Sequence, residues 1–314
     1  MGRFLRQLAL VVVLLIGLAF LLDPLFTQLF QHGRGMKSQW IEQMHNEHFD
    51  VAIIGSSRAL WNVNTITIDT SCGVRAINLA NNHLTPSEIL LTLEVFLRNG
   101  NTADRLLLQV DHATLSTDAK HFSTKAYEYV PFLDDTLVYD HLRAQSTEWI
   151  WLRHIPLWRY VKYNFKWGLE QALYTALDRS PEPFDSTGSY FSPNEQFYEK
   201  GNVPYRPAPS TLNAALTRVI DLCRESGSEL IPFTAPYHGW TIPDSAKQVP
   251  ARLLAQHGLR LLDFSDSLAE QRFFNDHQHI NRAGGVAFTR MLMDQVICAV
   301  DSGMLHENEG LPQP

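Results

Sequence analysis

The chain opens on an unbroken apolar run, residues 8–22, which follows Arg3 and Arg6. Fifteen helical residues rise about 22 Å, short of the roughly 30 Å hydrocarbon core of a bilayer, and apolar positions up to residue 30 can extend the buried length. A cleaved signal peptide has an apolar run of similar length, but residues 20–30 offer no pair of small residues for cleavage. We therefore expect residues 1–30 to form a retained single-pass anchor in the cell membrane. Because both arginines precede the run, the domain that follows is expected outside the cytoplasm.

Beyond a polar stretch at residues 31–48, predicted to be a helical spacer, short apolar strands alternate with amphipathic helices. The predicted strands cover residues 49–55, 74–80, 105–110, 229–235 and 259–264. The predicted helices cover residues 86–98, 212–224, 251–257 and 283–300. This alternation predicts an α/β fold in which helices cover both faces of a central parallel sheet.

The alternation breaks at residues 113–208, which hold four of the seven tryptophans. We therefore predict one domain, residues 49–300, formed by 49–112 and 209–300 around a large, mostly helical insertion and followed by a loose tail at 301–314. The tryptophans can fill a helical core, or some of them can lie at a membrane interface or bind sugar rings beside basic side chains. The residues suited to the second role are Trp149, Trp151 and Trp158, with Arg153, Arg159 and Lys162.

Composition narrows the class of protein. The hydrophobic content of 45% and the charged content of 19% are those of a globular chain, and a net charge of −7 argues against a nucleic-acid-binding protein. The three cysteines do not have the spacing of a zinc site, and they can form at most one disulfide. Since there is also no metal-ligand grouping and no glycine-rich phosphate loop, we expect no metal and no cofactor.

Ligands of parallel α/β sheets bind beyond the carboxyl ends of the strands. The first strand ends at Gly55-Ser56-Ser57-Arg58, so a serine lies between a strand end and a helix start. Such a serine can be a nucleophile whose own N–H supports an oxyanion, or it can simply cap the helix.

An acid and a histidine follow near the end of the chain. Asp276 and His279 are three residues apart, so the carboxylate can orient the imidazole while the other ring nitrogen takes a serine proton. Asp118 and His121 have the same spacing, but only the later pair directly precedes a C-terminal helix opened by Asn281.

These blocks resemble those of the SGNH/GDSL hydrolase superfamily, whose Gly-Asp-Ser and Asp-x-x-His motifs align with Gly55-Ser56-Ser57 and with Asp276 and His279. The resemblance covers residues 49–112 and 209–300. It implies a flavodoxin-like three-layer α/β/α fold and a Ser57, His279, Asp276 triad. With the N-terminal apolar helix, the chain is similar to D-alanyl-transfer proteins of teichoic-acid operons and to other exported members that act on cell-surface polymers.

Two middle blocks depart from the family pattern. His83 stands about where the family has an oxyanion-hole glycine, and Asp111 replaces part of a Gly-x-Asn-Asp block. The residues expected around the oxyanion are therefore Asn81, Asn82, His83 and Asp111. Further residues expected to line the cleft are Arg58, His112 and His238.

The resemblance implies a membrane-tethered serine acyltransferase or esterase that acts on acyl groups of a cell-surface glycan. Because His83 and Asp111 depart from the family's oxyanion blocks, a protein without catalytic activity is the alternative to an enzyme. In that alternative the protein is catalytically silent and serves as the partner of a membrane-bound acyltransferase.

Overall fold

The central sheet has five parallel strands in the order β2-β1-β3-β4-β5. A computed structural model describes residues 1–116, 125–179, 184–190, 196–199, 210–239 and 244–297. The strands are β1 His48–Ile54, β2 Ala76–Asn78, β3 Thr102–Gln109, β4 Glu229–Thr234 and β5 Leu262–Asp263. This strand order is that of flavodoxin-like sheets, so the predicted α/β class and parallel sheet are confirmed.

Helices cover both faces of the sheet, as predicted. The helices are α1 Gly2–Gln31, α2 Lys37–Glu42, α3 Ser57–Leu60, α4 Thr65–Cys72, α5 Pro86–Arg98, α6 His112–Ser116, α7 Thr136–Arg143, α8 Glu148–His154, α9 Trp158–Lys162, α10 Asn164–Trp167, α11 Leu169–Ala176, α12 Ala214–Ser226, α13 Asp244–Ala255 and α14 Arg282–Leu292. Strand side chains alternate between faces, so Ala52 and Ile54 of β1 join one apolar core while Val51 and Ile53 join the other.

Helix α5 shows why the prediction of local structure succeeds here. Its N-terminus has a capping box, in which the Thr85 N–H donates to the carboxylate of Glu88, and Pro86 occupies the first turn. The observed bounds, Pro86–Arg98, are those predicted. Helix α14 begins at Arg282 behind the capping side chain of Asn281, and it passes into a π-helical turn at Met293–Ile297.

The N-terminal helix covers almost the same residues as the predicted anchor, and its last turns belong to the domain. By length and composition α1 can cross a membrane, although a signal sequence would pass the same test. Its last turns are different, because Thr27 and Phe30 are buried and the Phe30 ring lies 4.9 Å from that of Trp167. The last turns of the predicted anchor, residues 1–30, therefore also contribute to the core of the domain.

The predicted spacer at residues 31–48 is likewise part of the domain. It contains α2, whose Lys37 is buried and donates from Nζ to the carbonyl oxygens of Asn78 and Gly188, each at 2.5 Å. Burial lowers the pKa of Lys37 to about 7, and the nearby carboxylates of Asp185 and Glu128 offset only part of that effect.

The insertion has a helical part and a non-helical part. A 3-10 turn at Ala126–Phe132 and helices α7–α11 confirm the predicted helical character, and these elements pack against α1, α2 and α5. The described segments 184–190 and 196–199 are not helical. Asp118, His121 and the predicted tail at 301–314 lie outside the described residues.

Candidate active site

Two adjacent serines follow β1, and their side chains have different partners. Gly55 turns the chain with φ +153°, and a Cβ there would lie 2.7 Å from Cβ of Gln109, so only glycine fits without displacement. The N–H and hydroxyl of Ser56 donate to Oε1 of Gln109 at 3.1 and 2.7 Å. Ser57 opens α3 with its hydroxyl directed to a histidine.

Ser57, His279 and Asp276 lie together, as predicted. Ser57 Oγ is 2.8 Å from His279 Nε2, and His279 Nδ1 is 3.0 Å from each carboxylate oxygen of Asp276. A carboxylate at Nδ1 favours the tautomer that carries its proton there, which leaves Nε2 free to accept the serine proton. This arrangement can activate Ser57 as a nucleophile.

A tight loop fixes the acid and the histidine relative to each other. Asp276 Oδ1 also accepts the N–H groups of Gln278 and His279, at 2.9 and 3.0 Å. Asn62, just after α3, accepts from the N–H of Ile280 at 3.2 Å. The loop is thereby joined to the segment that carries the serine.

The imidazole lies against an aromatic wall. The Trp61 ring is 5.0 Å from that of His279 and 4.8 Å from that of Tyr190, and Trp61 Nε1 donates to Oδ1 of Asn82 at 2.9 Å. The His279 side chain is 15% exposed and that of Asp276 is 7% exposed. The pair is therefore shielded from water but open on one side.

The predicted oxyanion segment follows β2. Asn81 donates its N–H to the carbonyl oxygen of Gly55, and its side-chain amide donates to Glu128 at 2.9 Å. The N–H of Asn82 is directed to Oδ1 of Asn81, at 2.8 Å. His83 has φ +59°, so it adopts the left-handed conformation that glycine adopts most readily.

Asp111 does not fit the predicted role at the oxyanion. Its carboxylate is buried and accepts from Arg58 Nη1 at 2.5 Å, from Gln109 Nε2 at 2.8 Å, and from Thr114. Burial alone would raise the pKa of Asp111, but Arg58 and the Thr114 donors hold it below its ordinary value. The side chain therefore stays ionised and cannot donate to an oxyanion.

Arg58 is not a cleft residue either, because its side chain is only 2% exposed. Its other Nη donates to the carbonyl oxygens of Ala235 and Pro236, and its guanidinium stacks 3.5 Å from the Tyr237 ring. The Arg58–Asp111 pair thus joins α3 to the ends of β3 and β4 beneath the serine.

Of the two remaining predicted cleft histidines, His238 lies beside the triad loop. Its N–H donates to the carbonyl oxygen of His277 at 3.1 Å, and its own carbonyl oxygen is 2.7 Å from Nδ1 of His277. Phe197 of the insertion packs on both rings. His277 was missed by sequence reasoning, although its position directly after Asp276 was a signal. The other histidine, His112, begins α6 next to Asp111.

One group in the described chain could hold a metal ion: His48, Asp50 and Asp104 have ligand atoms within 4.8 Å of one another. They lie towards the amino ends of β1 and β3, whereas Ser57 follows the carboxyl end of β1. Asp50 already accepts the N–H of Arg75 at 2.6 Å, and Nε2 of His48 lies 3.6 Å from the carboxylate of Asp104, with both side chains exposed.

Comparison with known proteins adds no relative. No protein-family model matches the chain, and no curated protein matches it in sequence. The geometry of the site is therefore the basis for its proposed function.

Proposed function

We propose that the protein is a membrane-anchored serine acyltransferase or esterase of the SGNH type, with Ser57 as its nucleophile. The observation that carries this proposal is the hydrogen-bonded chain from Ser57 Oγ through His279 to Asp276, with spacings of 2.8 and 3.0 Å. A serine that only capped α3 would need no histidine at its hydroxyl.

In the proposed reaction, His279 Nε2 takes the Ser57 proton while Oγ bonds to the carbonyl carbon of an ester. Asp276 stabilises the resulting imidazolium. Collapse of the tetrahedral intermediate breaks the bond to the leaving alcohol, which receives the proton from His279. An acceptor hydroxyl, or water, then repeats the sequence in reverse and frees the serine.

The oxyanion would be held by backbone N–H groups rather than by Asp111. The Ser57 N–H makes no hydrogen bond to any other residue in the described ranges, so it can serve as one donor. The second donor is expected from the segment after β2, where the N–H groups of Asn81 and Asn82 would first have to leave their present acceptors, the carbonyl oxygen of Gly55 and Oδ1 of Asn81. Removing one such donor costs roughly a hundredfold or more in rate in serine enzymes.

The proposed location follows from α1. Its buried last turns favour retention, because cleavage after residue 30 would remove Thr27 and Phe30 from the folded domain. Arg3 and Arg6 precede the apolar run, which favours an extracytoplasmic domain. The proposed substrate, acyl groups on a cell-surface glycan, rests on the family resemblance alone.

A covalent serine probe tests the nucleophile. Full-length protein in nanodiscs is treated with a fluorophosphonate, and the labelled peptide is identified by mass spectrometry. We expect labelling at Ser57, loss of labelling in Ser57→Ala, and labelling roughly a thousandfold to ten-thousandfold slower in Asp276→Asn, in which the imidazole tautomer is wrong. Ser56→Ala is the matched control, since the neighbouring hydroxyl contacts Gln109 and not His279.

Two outcomes would contradict the proposal. Undiminished labelling of Ser57→Ala would place the reactive group elsewhere. A folded wild-type protein that resists the probe would favour the catalytically silent partner protein instead.

A further inference from the structure

The helical part of the insertion has a large exposed apolar face. Helices α8–α11 and the turns between them expose nine bulky side chains, with relative exposures between 40% for Tyr174 and 68% for Leu169. We call these residues the apolar face: Trp151, Ile155, Trp158, Val161, Phe165, Leu169, Leu173, Tyr174 and Leu177. Single exposed apolar residues are ordinary, but a grouping of this size marks a contact surface.

Helix α11 shows that the exposure follows a pattern. Leu169, Leu173 and Leu177 recur every four residues and are all more than half exposed, so they form one side of the helix. Ala172 is buried on the other side, and α11 packs against α1. The amphipathic pattern is therefore satisfied towards the protein and unsatisfied towards the outside.

The apolar face adjoins the place where α1 leaves the domain. The Tyr160 and Trp167 rings pack on Phe30 at 5.6 and 4.9 Å, between helices that carry the face. About one and a half to two and a half turns before Phe30 in α1, Leu25 and Leu21 are 58% and 68% exposed. The exposed apolar surface of α1 and the apolar face thus meet at one end of the molecule.

A buried ion pair fixes the two surfaces relative to each other. Asp23 of α1 accepts from Arg159 Nη2 at 2.6 Å and from the N–H of Leu157 at 2.8 Å. Arg159 is only 3% exposed, and Asp134 lies 3.2 Å from the same Nη2 atom. The charge at the end of the apolar run is therefore paired, which is how acidic residues are accommodated near hydrocarbon.

The apolar run of α1 is shorter than the hydrocarbon core of a bilayer is thick, and the apolar face can cover the difference. Residues 8–22 span about 22 Å of a hydrocarbon core of roughly 30 Å, which leaves about 8 Å. Amphipathic helices at an interface sit about 5–10 Å into the boundary between head groups and acyl chains. We propose that the apolar face lies in this boundary around the exit of α1, so that lipid covers it. The inference rests on the proposed retention of α1 in the membrane.

Spin labels measure the depth of the face in the full chain. Cysteines are introduced singly, in a background without the three native cysteines, at Leu173 on the face, at Val12 in α1 and at Glu225 on the exposed side of α12. The protein is reconstituted in phosphatidylcholine–phosphatidylglycerol nanodiscs, and its thermal unfolding is compared with that of the wild type. Collisions with oxygen and with a water-soluble nickel chelate are then compared.

We expect the oxygen-to-nickel collision ratio at Leu173 to be several-fold above that at Glu225 and closer to that at Val12. A ratio at Leu173 equal to that at Glu225 would show a face in water and overturn the proposal. Exclusion of both reagents at Leu173 would show a protein partner or a second copy, and would overturn it equally. If Val12 is also in water, the anchor itself fails. None of these results depends on whether Ser57 reacts with the fluorophosphonate.

Discussion

At the scale of single residues, the site depends on backbone conformation as much as on side-chain chemistry. Gly55 lets β1 turn so closely against Gln109 that Ser56 and Ser57 face different partners. His83 adopts φ +59° in the segment expected to hold the oxyanion. A histidine in this left-handed conformation costs conformational energy that a glycine there would not.

Two substitutions at position 83 separate the backbone from the imidazole. His83→Gly and His83→Ala both remove the ring, but only glycine relieves the left-handed conformation. We expect His83→Gly to be more stable than His83→Ala by about 1 kcal/mol in denaturant unfolding. Fluorophosphonate labelling of His83→Gly should match that of the wild type. Equal stability of the two variants would contradict the conformational argument, and slow labelling of both would give the imidazole a role.

Lys37 makes the stability of the protein depend on pH in a definite direction. Its pKa is about 7 in the folded state against an ordinary value of 10.5. Between these values the unfolded chain binds a proton that the folded chain lacks, so stability rises with pH across this window. Relative to Lys37→Met, we expect the wild type to gain about 2 kcal/mol of unfolding free energy between pH 7 and pH 9. Parallel pH profiles for the two proteins would show that Lys37 keeps its proton when folded.

At the scale of elements, the sheet and the helices that cover it were predictable because their patterns are local. An apolar run stopped by a glycine identified β1, and a capping box with a proline identified α5. The Asp276 and His279 pair was also predictable, because a turn brings residues three apart together. The network beneath the serine was not. Nothing in the sequence pairs Arg58 with Asp111, 53 positions away, so Arg58 was expected in the cleft.

The insertion shows the same limit. Its helices were predictable from composition, but their position was not, since they pack on α1 and α2. The expectation was a mostly helical insertion. The described residues beside the triad belong instead to non-helical segments, where Tyr190 packs on Trp61, and the Tyr198 N–H donates to the carbonyl oxygen of Asn275 at 2.6 Å.

At the scale of the whole molecule, the end of α1 is a structural part of the domain. Two fragments test this, one that lacks residues 1–21 and starts at Leu22, and one that lacks residues 1–32 and starts at Gly33. The shorter fragment loses Phe30, which is 1% exposed, and leaves buried Arg159 without Asp23. We expect it to be less stable by about 3–5 kcal/mol, the cost typical of deleting a large core side chain. Thermal and denaturant unfolding of the two fragments measure the difference. Equal midpoints would show that the end of α1 does not stabilise the domain and that α1 is only a tether.

If Ser57 is the nucleophile, as proposed, the direct continuation of α1 into the core also limits where it can meet a substrate. A flexible linker lets a tethered enzyme sweep a volume whose radius grows with the square root of linker length. Here the polar contacts of Asp23 and the burial of Phe30 replace such a linker by a stiff stalk. A protein held in a bilayer in this way would keep Ser57 at a fixed height above the membrane surface and would find its substrates by lateral diffusion. Acyl groups would then be selected by their distance from the lipid surface as well as by their chemistry.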